Sequence, residues 1–177
     1  MKRFVALSAA RSGLLALLLS SAALGSPASA QDVSEYGMKA VLFYRLSQFV
    51  YWPGTQPAPR PTTLCVVGRN PFGNALNQID ASSGEVAVRI APTDLTGCHL
   101  LFIPRSEASN MASWLERSSS KQMITVSDLP GFARAGGMIE LPLEGERIAI
   151  LLNRTAAQGR GFTFNAQLLR LARVIDP

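Results

Sequence analysis

Two short runs of this chain, Thr62-Thr63-Leu64-Cys65-Val66-Val67 and Cys98-His99-Leu100-Leu101-Phe102-Ile103, are apolar at nearly every position. A strand with one wet face alternates apolar and polar residues, whereas an unbroken apolar run needs cover on both faces. Each run leads through a turn into a segment of helical spacing. Gly68-Arg69-Asn70 precedes a helix opened by Pro71 and carrying Phe72, Leu76 and Ile79, and Ser106 caps a second through Met111, Trp114 and Leu115. Gln122–Val126 reads as another strand, and Glu85–Ile90 as one of period two. Strands alternating with helices predict a single compact α/β domain with a mixed, mostly parallel sheet of about six strands flanked by helices.

Other elements complete that frame. Asp32 or Ser34 is positioned to cap a first helix, with Met38, Val41, Leu42, Leu46 and Phe49 on one face, running to Trp52 before Pro53-Gly54 stops it. Arg45 falls within that stripe and is expected to reach toward solvent along its stem. Gln56–Pro61, with three prolines, reads as a linker. Met138–Leu143 and Arg147–Asn153 flank Glu144-Gly145-Glu146 as a hairpin, expected at one sheet edge. A final helix is expected to place Phe164, Leu168, Leu171, Ala172 and Ile175 on one face.

The first thirty residues have a different character. Lys2, Arg3 and Arg11 precede or open an apolar stretch from Gly13 to about Leu24, and Ala28-Ser29-Ala30 closes it with the small-x-small pattern of a signal-peptidase site. The stretch is about a dozen residues long, where spanning a bilayer takes roughly 20. A cleavable signal over residues 1–30 is expected, with cleavage after Ala30, export to the periplasm, and a mature domain over 31–177. The 17 basic and 12 acidic residues give a net charge of +5. Without Lys2, Arg3 and Arg11 there are 14 against the same 12, or +2. So small a charge argues against nucleic acid as a partner.

In an oxidising compartment an even number of cysteines favours a disulfide, here Cys65–Cys98, with two buried free thiols as the alternative. Catalytic constellations are weak. His99 is the only histidine, so a multi-histidine metal site is excluded, and a hydrogen-bonded structural role is expected for it. No G-x-S-x-G occurs. Nothing in the spacing of Asp94, Asp128 and Glu140 predicts that they meet. Gly68-Arg69-Asn70-Pro71-Phe72-Gly73 has the context of an anion-binding turn but lacks the Lys-Ser/Thr ending of a nucleotide loop, and reads as a tight turn. No catalytic residue, metal or cofactor is expected. Pro130–Gly137 carries Phe132 and Arg134 between glycines. Both residue types are enriched at interfaces, and Phe132 reads equally well as core.

Collinear motifs give a further expectation. Lys39-Ala40-Val41-Leu42-Phe43-Tyr44 with Phe49-Val50-Tyr51-Trp52-Pro53 resembles the opening helix of YfiR-like periplasmic proteins. The resemblance continues through Leu64–Gly68, Asn70–Gly73, Gly97–Ile103, Thr125–Asp128, Phe132–Ile139, Asn153 and Leu168–Ala172, nearly the whole mature chain in order. It implies a compact α/β domain, usually dimeric, that represses an inner-membrane diguanylate cyclase by binding its periplasmic sensor region. It also implies relief by an outer-membrane-associated lipoprotein that sequesters the repressor. The two cysteines match those of the family, whereas the second disulfide of some relatives cannot form here. Tyr51 departs from the acidic residue common at that position. Phe132, Arg134, Ile139 and Asn153 are the candidate partner-binding residues. The alternative is a binding module for an amino acid or other aromatic compound, with Arg134 and the Gly68–Gly73 turn lining its site.

Overall fold

The structure, a computed structural model, describes residues 28–54 and 61–176. Nearly all of the expected export signal and most of the Gln56–Pro61 linker lie outside the described residues. Among the described residues, no helix is long and apolar enough to cross a membrane.

Helix α1 (Ala28–Phe49) leads into a short strand β1 (Val50–Tyr51), then β2 (Thr62–Val66), α2 (Ala75–Ser83), β3 (Val86–Ile90) and β4 (Leu100–Ile103). A 3-10 helix (Arg105–Asn110) runs into α3 (Met111–Ser119), followed by β5 (Ile124–Ser127), β6 (Ile139–Glu140), β7 (Leu143–Glu144), β8 (Arg147–Ile148) and β9 (Leu151–Asn153). The chain closes with α4 (Arg154–Gln158), β10 (Thr163–Phe164), α5 (Ala166–Leu171) and β11 (Arg173–Ile175). Among the described residues, the main sheet has seven strands in the order β11-β9-β6-β5-β4-β2-β3. It is parallel from β3 through β6, β9 runs antiparallel to β6, and β11 runs parallel to β9. This is the mixed, mostly parallel α/β domain that the alternation of elements predicts.

The apolar strands are covered on both faces. Leu64, Val66, Leu100, Phe102, Ile124 and Val126 pack with Ala40, Phe43 and Leu46 of α1 and Leu76 of α2. Their alternate neighbours Cys65, Val67, Leu101 and Ile103 pack with Met123, Leu129 and Phe132, beneath Met111, Trp114 and Leu115 around α3. The period-two geometry of a strand makes this division obligatory. Cys65 and Cys98 are bonded within the second cluster, their Cα atoms 5.8 Å apart, as the even cysteine count favours.

Several boundaries differ from the sequence expectation. Asp32 and Ser34 lie inside α1 rather than at its start, and the helix ends at Phe49, because Val50 and Tyr51 pair with Phe164 and Thr163. Its buried stripe is rotated. Met38 and Val41 are 41% and 49% exposed, while Glu35 and Lys39 are buried. Arg45 is exposed as expected, bonded to Gln48 and lying over Tyr44. Pro71 does not open a helix. Phe72 N–H donates to Asn70 Oδ1 at 2.9 Å in a side-chain-closed turn, and α2 starts at Ala75. Ser106 sits inside the 3-10 helix and α3 begins at Met111.

The hairpin forms, with β6 on β9 and β7 on β8. It is not the sheet edge, because β11 lies outside β9. The long final helix is cut to Ala166–Leu171, capped by Asn165, whose Oδ1 accepts Leu168 N–H at 2.9 Å. Arg173–Ile175 then turn extended, pairing in parallel with Leu151–Asn153, so ladder bonds override helical spacing there.

The Cys65–Cys98 bond spans 33 residues of sequence. In the chain-entropy account it stabilises the domain by about 3–4 kcal/mol. Replacing both cysteines by alanine is expected to lower the unfolding free energy by that amount in urea titrations, and thiol titration of the unreduced protein is expected to find no free thiol.

Candidate functional site

The carboxyl ends of the parallel strands are where open α/β sheets hold ligands, above all where neighbouring strands connect in opposite directions. Here that position falls between β2 and β4. It is filled by the chain itself. A Cβ built on Gly68, just after β2, would overlap the Glu107 side chain, so the turn must be glycine. Glu107 Oε2 accepts from Trp114 Nε1 at 2.8 Å and Asn110 Nδ2 at 3.0 Å, which hold its carboxyl below the usual carboxylate range. The Gly68–Gly73 segment is therefore the tight turn its sequence suggests, packed against an acidic group that would repel an anion.

One strand further along, the end of β5 carries a buried charge cluster that hydropathy does not show. Asp128, 1% exposed, accepts at Oδ2 from Tyr36 Oη at 2.8 Å and Lys39 Nζ at 3.0 Å. Lys39, fully buried, also bonds Glu35 one helical turn back. Arg105 closes the cluster from its half-exposed side, with Nε 3.3 Å from Asp128 Oδ2 and Nη2 3.4 Å from Glu35 Oε1. Two carboxylates thus face two cations. Burial, then the bond to Asp128, pushes the Tyr36 hydroxyl well above its ordinary pKa, so it stays a donor. Asp128 Oδ1 has no partner among the described residues. The signal for this cluster was the i, i+4 pair Glu35/Lys39 on a helix otherwise read from its apolar residues.

The segment after Asp128 is tied down from several sides. Glu140 accepts from Gly131 N–H at 3.1 Å and Ala133 N–H at 3.0 Å. Asn153 donates from Nδ2 to the Ala133 carbonyl at 2.8 Å, while its Oδ1 caps α4 by accepting Ala156 N–H at 2.8 Å. Phe132 is fully buried, its ring against Gly137, where a Cβ would overlap it. Arg134, Ala135 and Gly136 stand exposed at the tip. Of the four candidate partner-binding residues, Phe132, Ile139 and Asn153 are buried and shape the loop, and Arg134 alone has its side chain at the surface. Glu140, which organises the loop, gave no sequence signal, because its acceptors' partners are backbone groups.

The remaining candidates separate. Asp94 is exposed and bonds Thr96 N–H, Asp128 belongs to the cluster, and Glu140 serves the loop, so the three acids do not form one site. His99 is structural in its contacts: Thr63 N–H donates to its Nδ1 at 2.8 Å, and its ring meets Trp52 edge-on at 5.7 Å. Tyr51 is 46% exposed. Among the described residues no group of three or more His, Cys, Asp or Glu is arranged to hold a metal.

Removing one partner of a buried ion cluster leaves a charge uncompensated, at a cost of about 3–5 kcal/mol. Lys39→Met is expected to destabilise the domain by that much in denaturant titrations. Burial lowers the pKa of His99 in the folded state, so the unfolded chain takes up its proton first. Stability is therefore full above the unfolded value near 6.5 and falls as pH drops below it. His99→Gln is expected to flatten that part of the stability–pH curve, read from melting temperatures across the acid range.

Comparisons with known proteins agree with this architecture. The crystal structure of a conserved domain protein from Vibrio cholerae O1 biovar El Tor superposes with a TM-score of 0.59 at 10% identity, covering 80% of this chain. This chain spans 60% of the length of that one, and the likeness concerns the fold alone. A search of curated proteins gives no match. The model of the YfiR/HmsC-like family (DUF4154) matches residues 36–173, from the tyrosine of the buried charge cluster to the first residue of β11. The chain belongs to the YfiR/HmsC-like family.

Proposed function

We propose that this protein is a periplasmic repressor that binds the periplasmic sensor region of an inner-membrane diguanylate cyclase and restrains cyclic-di-GMP synthesis. Family membership supports a regulatory rather than catalytic role in the periplasm. The Cys65–Cys98 bond suits an oxidising compartment. The observation that carries the interaction is Arg134, an exposed guanidinium on a loop whose backbone is fixed by Glu140, Asn153 and Phe132. A loop already held in one shape loses little freedom on binding, and arginine is among the residues that dominate interface energies.

Physically, repression needs only that the protein bind one state of the cyclase better than the other. An outer-membrane-associated lipoprotein competing for the repressor would relieve it, and a homodimer would present two Arg134 loops to a two-fold partner. The competing reading, a small-molecule module lined by Arg134 and the Gly68–Gly73 turn, is disfavoured at that location because Glu107 already lies against Gly68.

Deleting the gene in a strain that expresses the partner cyclase is expected to raise cyclic-di-GMP and biofilm. Unchanged levels would overturn the repressor reading. Arg134→Glu is expected to weaken capture of the cyclase's sensor region by at least about tenfold with the melting temperature unchanged, as for removal of one interface hot spot. Loss of folding in that variant would instead make the loop tip structural.

A further inference from the structure

At the opposite end of the sheet, where β4 and β5 begin, lies a cavity of about 380 Å³. Trp52, Leu95, Cys98, His99, Lys121 and Met123 line it. Its volume falls within the range of small-ligand sites, which combine mostly apolar walls with a few polar groups. The walls here are an indole, an aliphatic side chain, a thioether and one sulfur of the disulfide. No carboxylate is among the lining residues.

Besides the Trp52 indole, the polar side chains of the cavity wall are Thr96, His99, Lys121 and Gln122, each of which can donate a hydrogen bond. Because Thr63 N–H donates to His99 Nδ1, that nitrogen holds a lone pair and the proton of the neutral ring sits on Nε2. Burial lowers the pKa of the ring and so disfavours its charged form. No bond is made by Nε2 to any described residue, and backbone bonds from His99 N–H to the Thr63 carbonyl and from Ile124 N–H to the His99 carbonyl fix the ring's position. Lys121 lines the same wall, close enough to Asp94 to help lower that carboxyl's pKa. Behind Thr96, Arg89 bonds the Thr96 carbonyl at 2.6 Å, and Asp94, exposed, is occupied by Thr96 N–H. The local balance is thus one acid against two bases. Trp52, held edge-on between His99 and Phe162, has a buried Nε1–H with no partner among the described residues.

We infer that this cavity is a binding site for a small organic carboxylate with a compact apolar body. The carboxylate takes the His99 Nε2–H and the Lys121 ammonium, and the body lies against Trp52, Met123 and the Cys98 sulfur. The inference rests on the cavity and not on the repressor reading, so either stands without the other.

The chain has two tryptophans, which makes the test internally controlled. Trp114 donates its indole N–H to Glu107, away from this cavity, while Trp52 lines it. In ¹⁵N-labelled protein, titration with benzoate is expected to move the Trp52 indole resonance saturably and leave that of Trp114 in place. Benzyl alcohol, which keeps the body and lacks the charge, is expected to bind at least about tenfold more weakly. Lys121→Gln is expected to weaken benzoate by about tenfold with an unchanged melting temperature, and Lys121→Arg to retain binding. No Trp52 shift up to about 10 mM benzoate would overturn the site, since that is weaker than any useful affinity. Equal binding of benzyl alcohol, an unaffected Lys121→Gln, or the same shift from inorganic phosphate alone would each overturn the carboxylate assignment.

Discussion

Burial of β2, β4 and β5 on both faces is the constraint from which the other layers follow. A strand turns successive side chains to opposite sides, so Leu64 and Val66 look one way while Cys65 and Val67 look the other. Burying one such aliphatic side chain is worth about 1.5–3 kcal/mol, and neither set can be left wet. α1 and α2 cover one side, and α3 with the 130s loop covers the other. The loop is consequently no appendage. Phe132 is part of the second core cluster, and the disulfide is buried in the same cluster. A surface that presents Arg134 is therefore anchored in the packing that holds the sheet together.

Apolar packing fixes that α1 lies on the sheet, but it is tolerant of sliding along it. The buried charges supply the missing register. Lys39 reaches both Glu35 and Asp128, and Arg105 binds the same two carboxylates from the next strand end. Ion clusters of this kind add little net stability against a hydrophobic substitute, and their value lies in specifying one arrangement. The same economy appears beside it. Ser127 Oγ donates to the Ile103 carbonyl at 2.6 Å and accepts Leu129 N–H at 3.0 Å, linking β4, β5 and the start of the loop. Polar side chains at the carboxyl ends of β4–β6 thus close the irregular backbone that a sheet ladder cannot satisfy.

The sheet was legible in the sequence because its signal is local: unbroken apolar runs of strand length, separated by turns. The disulfide was legible from cysteine count and compartment. What sequence reading missed depends on partners far along the chain. The buried face of α1 was misjudged because Glu35 and Lys39 look solvent-facing until Asp128 and Arg105 arrive from 70 or more residues away. Helical spacing continued through Arg173–Ile175, yet the open flank of β9 claimed those residues as a strand. Glu140 and Asn153 bond backbone groups of the 130s loop, and no side-chain pattern encodes an amide. Of the site residues proposed from sequence, the exposed Arg134 was the one whose position followed from its own chemistry, as a charged side chain among glycines.

The Arg134 loop and the Trp52–His99 cavity lie at opposite ends of the same strands. β5 lies between Met123, which lines the cavity, and Asp128, which begins the loop, and its four residues span about 13 Å at the usual rise per residue. Between them lies close-packed core, with Ile124 and Val126 on one face and Thr125 bonding the Met138 amide. Close packing transmits displacement poorly unless an element has two stable arrangements, and every ladder bond of β5 to β4 and β6 argues for one. A carboxylate in the cavity would therefore stabilise the domain by mass action without altering what the Arg134 loop presents. On this packing, a loss at one surface is expected to leave the other as it was.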